Sequence, residues 1–302
     1  MSAGASETRC GFVGVIGLPN AGKSTLVNHL VGSKVSIVSR KTHTTRNRIL
    51  GIALQEAAQI ILIDTPGIFD AGGRRQMERA MVGAAFDVLE ESEIAIHLVD
   101  AATKDPLKQN AEIIKKLPQN KPAILALNKT DKIKKEELLV LAASFNDAHP
   151  YHATFMISAL KGKGTDDLLK HIAGNLKPGP WMFEEDQITD MPMRMIAAEI
   201  TREKIYDQLH EELPYAAMVY TESWEDFDNG SIKIGQTVFV ERDTQKAIVL
   251  GKGGSRIKQI GQAAREELEK LFEARIHLKL FVKVKENWAE QPEQLRLMGL
   301  LE

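Results

Sequence analysis

The sequence predicts an α/β domain with a mostly parallel sheet and helices on both faces, followed by a smaller α+β domain. Three observations carry this. From Phe12 to about Leu176 short apolar runs alternate with helical patterns, as strands and crossover helices do. The pattern then breaks at Lys177-Pro178-Gly179-Pro180-Trp181, Glu184-Glu185-Asp186 and Met191-Pro192, where proline, glycine and acid read as a linker. Beyond the break the order changes to helix, hairpin, glycine turn, helix and strand. The limits read from this are a tail at 1–10, a first domain at 11–176, a linker at 177–192, a second domain at 193–288, and a closing tail or short helix at 289–302.

Apolar runs place strands at Phe12–Ile16, Ile49–Leu54, Gln59–Asp64, Ile94–Val99, Ala123–Leu127 and Thr154–Ile157. Helical spacing places helices at Lys23–Val31, Arg75–Glu90, Asp105–Leu117, Lys134–Ala148 and Thr165–Asn175. In the second domain a helix at Thr201–Glu212 stops at Pro214. The runs Ala216–Glu222 and Ser231–Glu241 form a hairpin around Asn229-Gly230, a dipeptide suited to tight turns. Gln245–Leu250 fits a strand or a short helix. A helix from Ser255 to about Phe272 and a strand at Arg275–Lys285 complete the domain.

At 302 residues the chain is longer than one ordinary domain, and 26% charged with 43% hydrophobic residues is a usual globular balance. The single cysteine, Cys10, excludes an internal disulfide framework and fits a reducing compartment. The polar start lacks a signal pattern and no apolar run could span a bilayer, so a cytoplasmic monomer is expected. The net charge of −2 conceals two opposite segments: −10 over 184–228 and +6 over 246–285.

Residues 17–24 read Gly-Leu-Pro-Asn-Ala-Gly-Lys-Ser, between an apolar run and a helical pattern. In that context G-x-x-x-x-G-K-S is a phosphate cradle: glycines let backbone N–H groups turn inward and the new helix adds its positive end. Lys23 can reach the β- and γ-phosphates and Ser24 can ligate Mg²⁺, with Gly17, Asn20, Ala21, Gly22 and Thr25 lining the same cradle. At a later strand end, Asp64-Thr65-Pro66-Gly67 offers a carboxylate for Mg²⁺ and the Gly67 N–H for a γ-phosphate. In Lys41-Thr42-His43-Thr44-Thr45-Arg46 a threonine can complete the metal shell when a γ-phosphate is present, so the stretch reads as a switch loop. Thr45 is the choice and Thr44 its rival.

Asn128-Lys129-Thr130-Asp131 supplies base selection. A carboxylate at Asp131 can accept from guanine N1–H and the 2-amino group, a donor pair that adenine lacks. Lys129 can lie along the base and Asn128 can brace the loops. In Ser158-Ala159-Leu160, the Ala159 N–H can donate to guanine O6.

Together, GLPNAGKS, TTR, DTPG, NKTD and SAL resemble a translation-factor-type GTPase domain over about 10–176. The N-A-G-K-S and T-T-R forms are similar to the branch containing Era, EngA and MnmE. Ras-like enzymes place a water-orienting glutamine after DTPG; here stands Ile68, which can neither orient nor polarise water. The attacking water must then be held by backbone, another side chain or a metal-bound group, and the hydrolytic step falls to Lys23, Asn20, Thr45 and Gly67; no arginine finger is evident in the sequence, so slow intrinsic turnover is expected. In this branch an asparagine at the position of Asn20 goes with a potassium ion bridging the phosphates, so the resemblance implies K⁺ beside Mg²⁺.

The basic segment centres on Gly251-Lys252-Gly253-Gly254, followed by Ser255, Arg256 and Lys258. With its flanking elements it resembles the GxxG loop of a type II KH domain over about 200–285, in which Gln245–Leu250 would be a short helix. Such a loop lets single-stranded RNA lie against the backbone while lysine and arginine meet phosphates. A GTPase domain joined to one C-terminal KH domain resembles the Era family over nearly the whole chain. That resemblance implies binding of the single-stranded 3′ end of small-subunit ribosomal RNA and a role in maturation of the 30S ribosomal subunit. It also implies a peripheral association with the inner membrane, for which the leucines at 295, 297, 300 and 301 with Met298 are the candidate element, although packing as a final helix on the KH domain is the preferred reading of the same residues. Coupling would run through rearrangement of the 34–48 loop and the loop after Gly67. Two rivals stand: a P-loop kinase or ATPase, which Asp131 opposes, and a non-catalytic RNA-binding protein holding guanine nucleotide structurally, which Ile68 favours.

Overall fold

The computed structural model describes residues 7–39, 45–46, 48–68, 76–209 and 216–297, which divide into two compact units, the second comprising the described residues from Met191 onward together with 37–39 and 76–77.

In the first unit the strands are β1 (Arg9–Ile16), β2 (Ile49–Gln55), β3 (Ala58–Asp64), β4 (Ile94–Asp100), β5 (Ala123–Asn128) and β6 (Ala153–Met156). They form one sheet in the order β2-β3-β1-β4-β5-β6, parallel except for β2, which runs antiparallel to β3. The helices are α1 (Lys23–Val31), α2 (Gln76–Glu91), α3 (Pro106–Gln109), α4 (Ala111–Lys116), α5 (Lys135–Ala148) and α6 (Thr165–Asn175). One sheet face buries Val13, Val15, Ile60, Leu62 and Ile96 against Leu26 and Val27 of α1 and Leu168 and Ile172 of α6. The other packs Ile16, Ala95, Val99 and Leu127 against Ala85, Leu89, Ile113 and Phe145. Cover on both faces explains why these strands read as unbroken apolar runs.

The helix expected over Asp105–Leu117 is interrupted at Asn110. Its Nδ2 donates back to the Pro106 carbonyl at 2.9 Å while its Oδ1 meets His97 Nε2 at 3.0 Å. A buried asparagine serving two partners outweighs helical continuity there.

The stretch read as a linker lies along the first unit as far as Asp190. Gly179 N–H donates to the Thr8 carbonyl and Trp181 Nε1 to Ala57. The buried Gln59 side chain accepts from the Met182 and Phe183 N–H groups and donates to the Phe183 carbonyl, as a neighbouring strand would.

The second unit consists of α7 (Met193–Gln208), β7 (Met218–Asp226), β8 (Ile232–Val240), α8 (Asp243–Leu250), α9 (Ser255–Phe272), β9 (Ile276–Val284) and α10 (Pro292–Leu297). Its sheet runs β7-β8-β9, with the β7–β8 pair antiparallel and the β8–β9 pair parallel. At the hairpin Gly230 takes φ 75° and Asn229 Oδ1 accepts the Ser231 N–H. Ile260, Ala264 and Leu268 fall on one stripe of α9 and are fully buried. Gln245–Leu250 is helical; Gln245 Oε1 accepts the Glu241 and Arg242 N–H groups at the helix start, a local capping that favours helix over strand. Helix α7 begins at Met193, eight residues before the expected start, because Pro192 sets its entry. The expected end near Glu212 and Pro214 lies outside the described residues.

Candidate functional site

The carboxyl ends of the parallel strands gather the sequence motifs at one edge of the sheet: the glycine loop follows β1, Asp64 ends β3, Asp100 ends β4, Asn128 ends β5 and Ser158 follows β6. The loop after β1 is closely wrapped. Gly22 sits at φ 101°, and a Cβ there would lie 2.4 Å from Asn128 Nδ2. A Cβ on Gly67 would lie 2.8 Å from the Pro19 backbone. Both glycines are demanded by the approach of one loop to another.

Lys23 is buried, and its Nζ donates to the Gly17 and Leu18 carbonyls at 3.1 Å each. Burial lowers its pKa to about 8, against a smaller opposing pull from Asp64. An anion in the loop would restore the full charge. Ser24 Oγ donates to Asp64 Oδ2 at 2.7 Å and lies 2.8 Å from Thr45 Oγ1, which itself reaches Asp64 Oδ2 at 3.3 Å. Thr45 is thus within the cluster; its rival Thr44 lies outside the described residues, as does 41–43. Asp64 is fully buried, and its Oδ1 has no hydrogen-bond partner among the described residues. Burial pushes its carboxyl pKa up, against hydrogen bonds from Ser36, Ser24 and Thr45. Two hydroxyls and one carboxylate, its Oδ1 unpaired among the described residues, form the oxygen-rich set that suits Mg²⁺.

On the base side Asn128 braces two loops. Its Nδ2 donates to the Ala21 carbonyl at 2.8 Å and its Oδ1 accepts the Ala159 N–H at 2.9 Å. The Ala159 N–H, expected to face a guanine oxygen, is therefore already paired, as a buried amide must be. Ser158 Oγ donates to Asp131 Oδ1 at 2.8 Å, and this bond, ahead of the nearby Lys161, holds the Asp131 carboxyl below its usual range. Lys129 Nζ donates to the Asn20 carbonyl at 2.7 Å and pairs with Asp100. Asn20 adopts φ 63° with its side chain exposed, and Leu160 is exposed beside the base motifs. Ile68 is 6% exposed and packs among Ile16, Ala85 and Leu89, away from any role on water.

Sequence reasoning missed three contributors. Asp100 anchors Lys129, Ser36 donates to Asp64 Oδ2 at 2.6 Å, and Thr65 Oγ1 donates to the Val15 carbonyl at 2.8 Å. The aspartate closing an apolar run at Val99-Asp100 was a visible signal; nothing marked Ser36.

In the second unit the turn between α8 and α9 carries positive φ at Gly251, Gly253 and Gly254. A Cβ at Gly251 would meet Arg256 Cβ at 2.7 Å, whereas Gly253 and Gly254 face open space. Lys252, Ser255 and Lys258 are exposed and Arg256 is half-buried. The arrangement is an open backbone surface at the start of a helix with three cations beside it.

Comparisons with known proteins match both units. Residues 12–129 match a family model described as "50S ribosome-binding GTPase", and residues 212–289 match one for the KH domain. The chain is 52% identical to GTPase Era of Rhizobium meliloti (strain 1021) over 99% of this chain and 95% of that one. It is 50% identical to GTPase Era of Bradyrhizobium diazoefficiens, covering 98% and 95%. Among solved structures it superposes with TM-score 0.91 on Era in complex with MgGDPNP and nucleotides 1506–1542 of 16S ribosomal RNA, at 38% identity over 98% of this chain and 100% of that one. A variant of Aquifex aeolicus Era bound to GDP.AlF4- gives TM-score 0.91 at 39% identity with the same coverage. With a GTPase family model on the first unit, a KH model on the second, and relatives about half identical over almost the whole length, the chain belongs to the Era family of GTPases.

Proposed function

We propose that this GTPase binds the single-stranded 3′ end of small-subunit ribosomal RNA through its GxxG turn and acts in maturation of the 30S subunit. The observation that carries the reading is the open turn at Gly253 and Gly254 with Lys252, Arg256 and Lys258 beside it. It is supported by the complex of a 38%-identical Era with a 16S ribosomal RNA fragment. Gly251, Gly253 and Gly254 admit the RNA backbone, Lys252, Arg256 and Lys258 neutralise phosphates, and the Ser255 N–H opens the helix that receives them. We take 11–176 and 193–288 as the working limits of the GTPase and KH domains.

At the nucleotide site, the N–H groups of Gly17 to Thr25 enclose the phosphates and Lys23 spans the β- and γ-phosphates. Asp131, with Ser158 fixing one of its oxygens, accepts the two guanine donors. Leu160 covers the base and Lys129, tied to Asp100, flanks it. Ser24, Thr45 and Asp64 hold Mg²⁺, which supplies charge neutralisation between the phosphates. The Gly67 N–H meets the γ-phosphate. With Ile68 in the core, the side chain that follows DTPG cannot orient water and turnover is slow; Asn20, whose side chain is exposed, would hold a potassium ion at the phosphates. No described helix is long and apolar enough to cross a membrane, and the candidate membrane contact at 295–301 rests on side chains outside the described residues.

The test is binding of the full chain to single-stranded RNA with the sequence of the 3′ end, against a scrambled RNA, at two salt concentrations. Preference for the 3′ end, weakening with salt and lost in Gly253→Asp, supports the reading. Equal binding of both RNAs, or an unaffected Gly253→Asp chain, removes it.

A further inference from the structure

Asp64 carries more hydroxyl groups than the metal site needs. Ser24 and Thr45 are both placed to ligate a cation themselves. Ser36, 1% exposed, is the third hydroxyl on the carboxylate, and its Oγ donates to Asp64 Oδ2 at 2.6 Å. Ser36 is itself locked. Asn28 of α1 accepts the Val35 and Ser36 N–H groups on Oδ1 at 2.9 and 2.8 Å and donates from Nδ2 to the Ser36 carbonyl at 2.6 Å. One side chain thereby fixes both backbone groups of Ser36, so the hydroxyl has one position from which to meet Asp64. Oδ2 is thus held by Ser36, Ser24 and Thr45, while Oδ1 has no partner among the described residues.

We propose that Ser36 is a positioning residue for magnesium. It holds the Asp64 carboxylate against Ser24 and Thr45, the hydroxyls that meet the cation, and Asn28 transmits the position of α1, the helix that begins at Lys23, to that carboxylate. The inference rests on the reading of Ser24, Thr45 and Asp64 as the Mg²⁺ site. Unlike Ser24 and Thr45, Ser36 serves the carboxylate without being one of the cation's ligands. Hydrogen-bond partners of metal-binding carboxylates set ligand orientation, and their loss commonly weakens metal binding by about 10- to 100-fold.

The experiment is release of a fluorescent N-methylanthraniloyl-GDP from the full chain across a Mg²⁺ titration, with EDTA as the metal-free limit. For Ser36→Ala the Mg²⁺ concentration giving half the slowing of release rises about 10-fold or more, while the EDTA rate stays at the wild-type value. Ser36→Thr, which keeps the hydroxyl, returns the titration toward wild type. Asn28→Ala shifts it in the same direction as Ser36→Ala and keeps the test usable if that chain folds poorly. Equal acceleration with and without Mg²⁺, or an unchanged Mg²⁺ titration in folded Ser36→Ala, overturns the role of Ser36. Release from the wild type that ignores Mg²⁺ overturns the metal site and the inference with it.

Discussion

Replacing Asp131 by asparagine tests the guanine edge with a change of one functional group. Ser158 Oγ donates to Asp131 Oδ1 at 2.8 Å, and the group is held ionised below the usual carboxylate range. A guanine would therefore meet an acceptor-only group already fixed in place. In Asp131→Asn the amide nitrogen faces one of the two guanine donors, so one charge-assisted bond is lost and the other becomes neutral. Losing one hydrogen bond to a charged group and weakening the other lowers GDP affinity by roughly 100-fold. Xanthine carries a carbonyl where guanine has its 2-amino group, and the amide nitrogen can donate to it. Displacement of N-methylanthraniloyl-GDP by GDP and by XDP reads both affinities. The expected result is a preference for GDP in the wild type and for XDP in the variant. If Asp131→Asn still preferred GDP as strongly as the wild type, the base would be read elsewhere and this assignment of Asp131 would be wrong.

Two further outcomes follow from the same structure. Burial lowers the pKa of His97 from 6.5 to about 4, against a hydrogen bond with Asn110. Between those values the unfolded chain holds the extra proton, so stability is complete above pH 6.5 and falls by up to ~3 kcal/mol as pH drops toward 4. Hydrogen exchange of β4 amides at pH 7 and pH 5 should show that loss in the wild type and a smaller one in His97→Gln; equal losses would exclude His97 as the source. If Asn20 holds potassium, GTP hydrolysis by the full chain runs faster in KCl than in NaCl and the difference shrinks in Asn20→Ala; equal rates in the two salts would remove the ion from the site.

The alternation of apolar runs and helices, the glycine loop, DTPG, NKTD and the GxxG turn were legible in the sequence because each depends on neighbours close along the chain. Strand periods, turn residues and loop glycines act over a few positions, so they can be read in place. Helix α1 was legible to its ends for that reason, and so was α9. The order of the motifs along the chain also placed them at strand ends, because parallel strands joined by crossover helices must all point the same way. Tertiary structure alone decided the partners that arrive from far along the chain. Asp100 meets Lys129 across two adjacent strands, Gln59 meets the backbone at 182–183, Asn110 breaks its own helix to serve His97, and Ser36 meets Asp64 through a loop pinned by Asn28. Each is a polar group whose burial demands a partner, and sequence shows the demand only after folding has shown which groups are buried. The chemistry of the site could be read from local pattern, whereas the shell that holds it in position came from long-range packing.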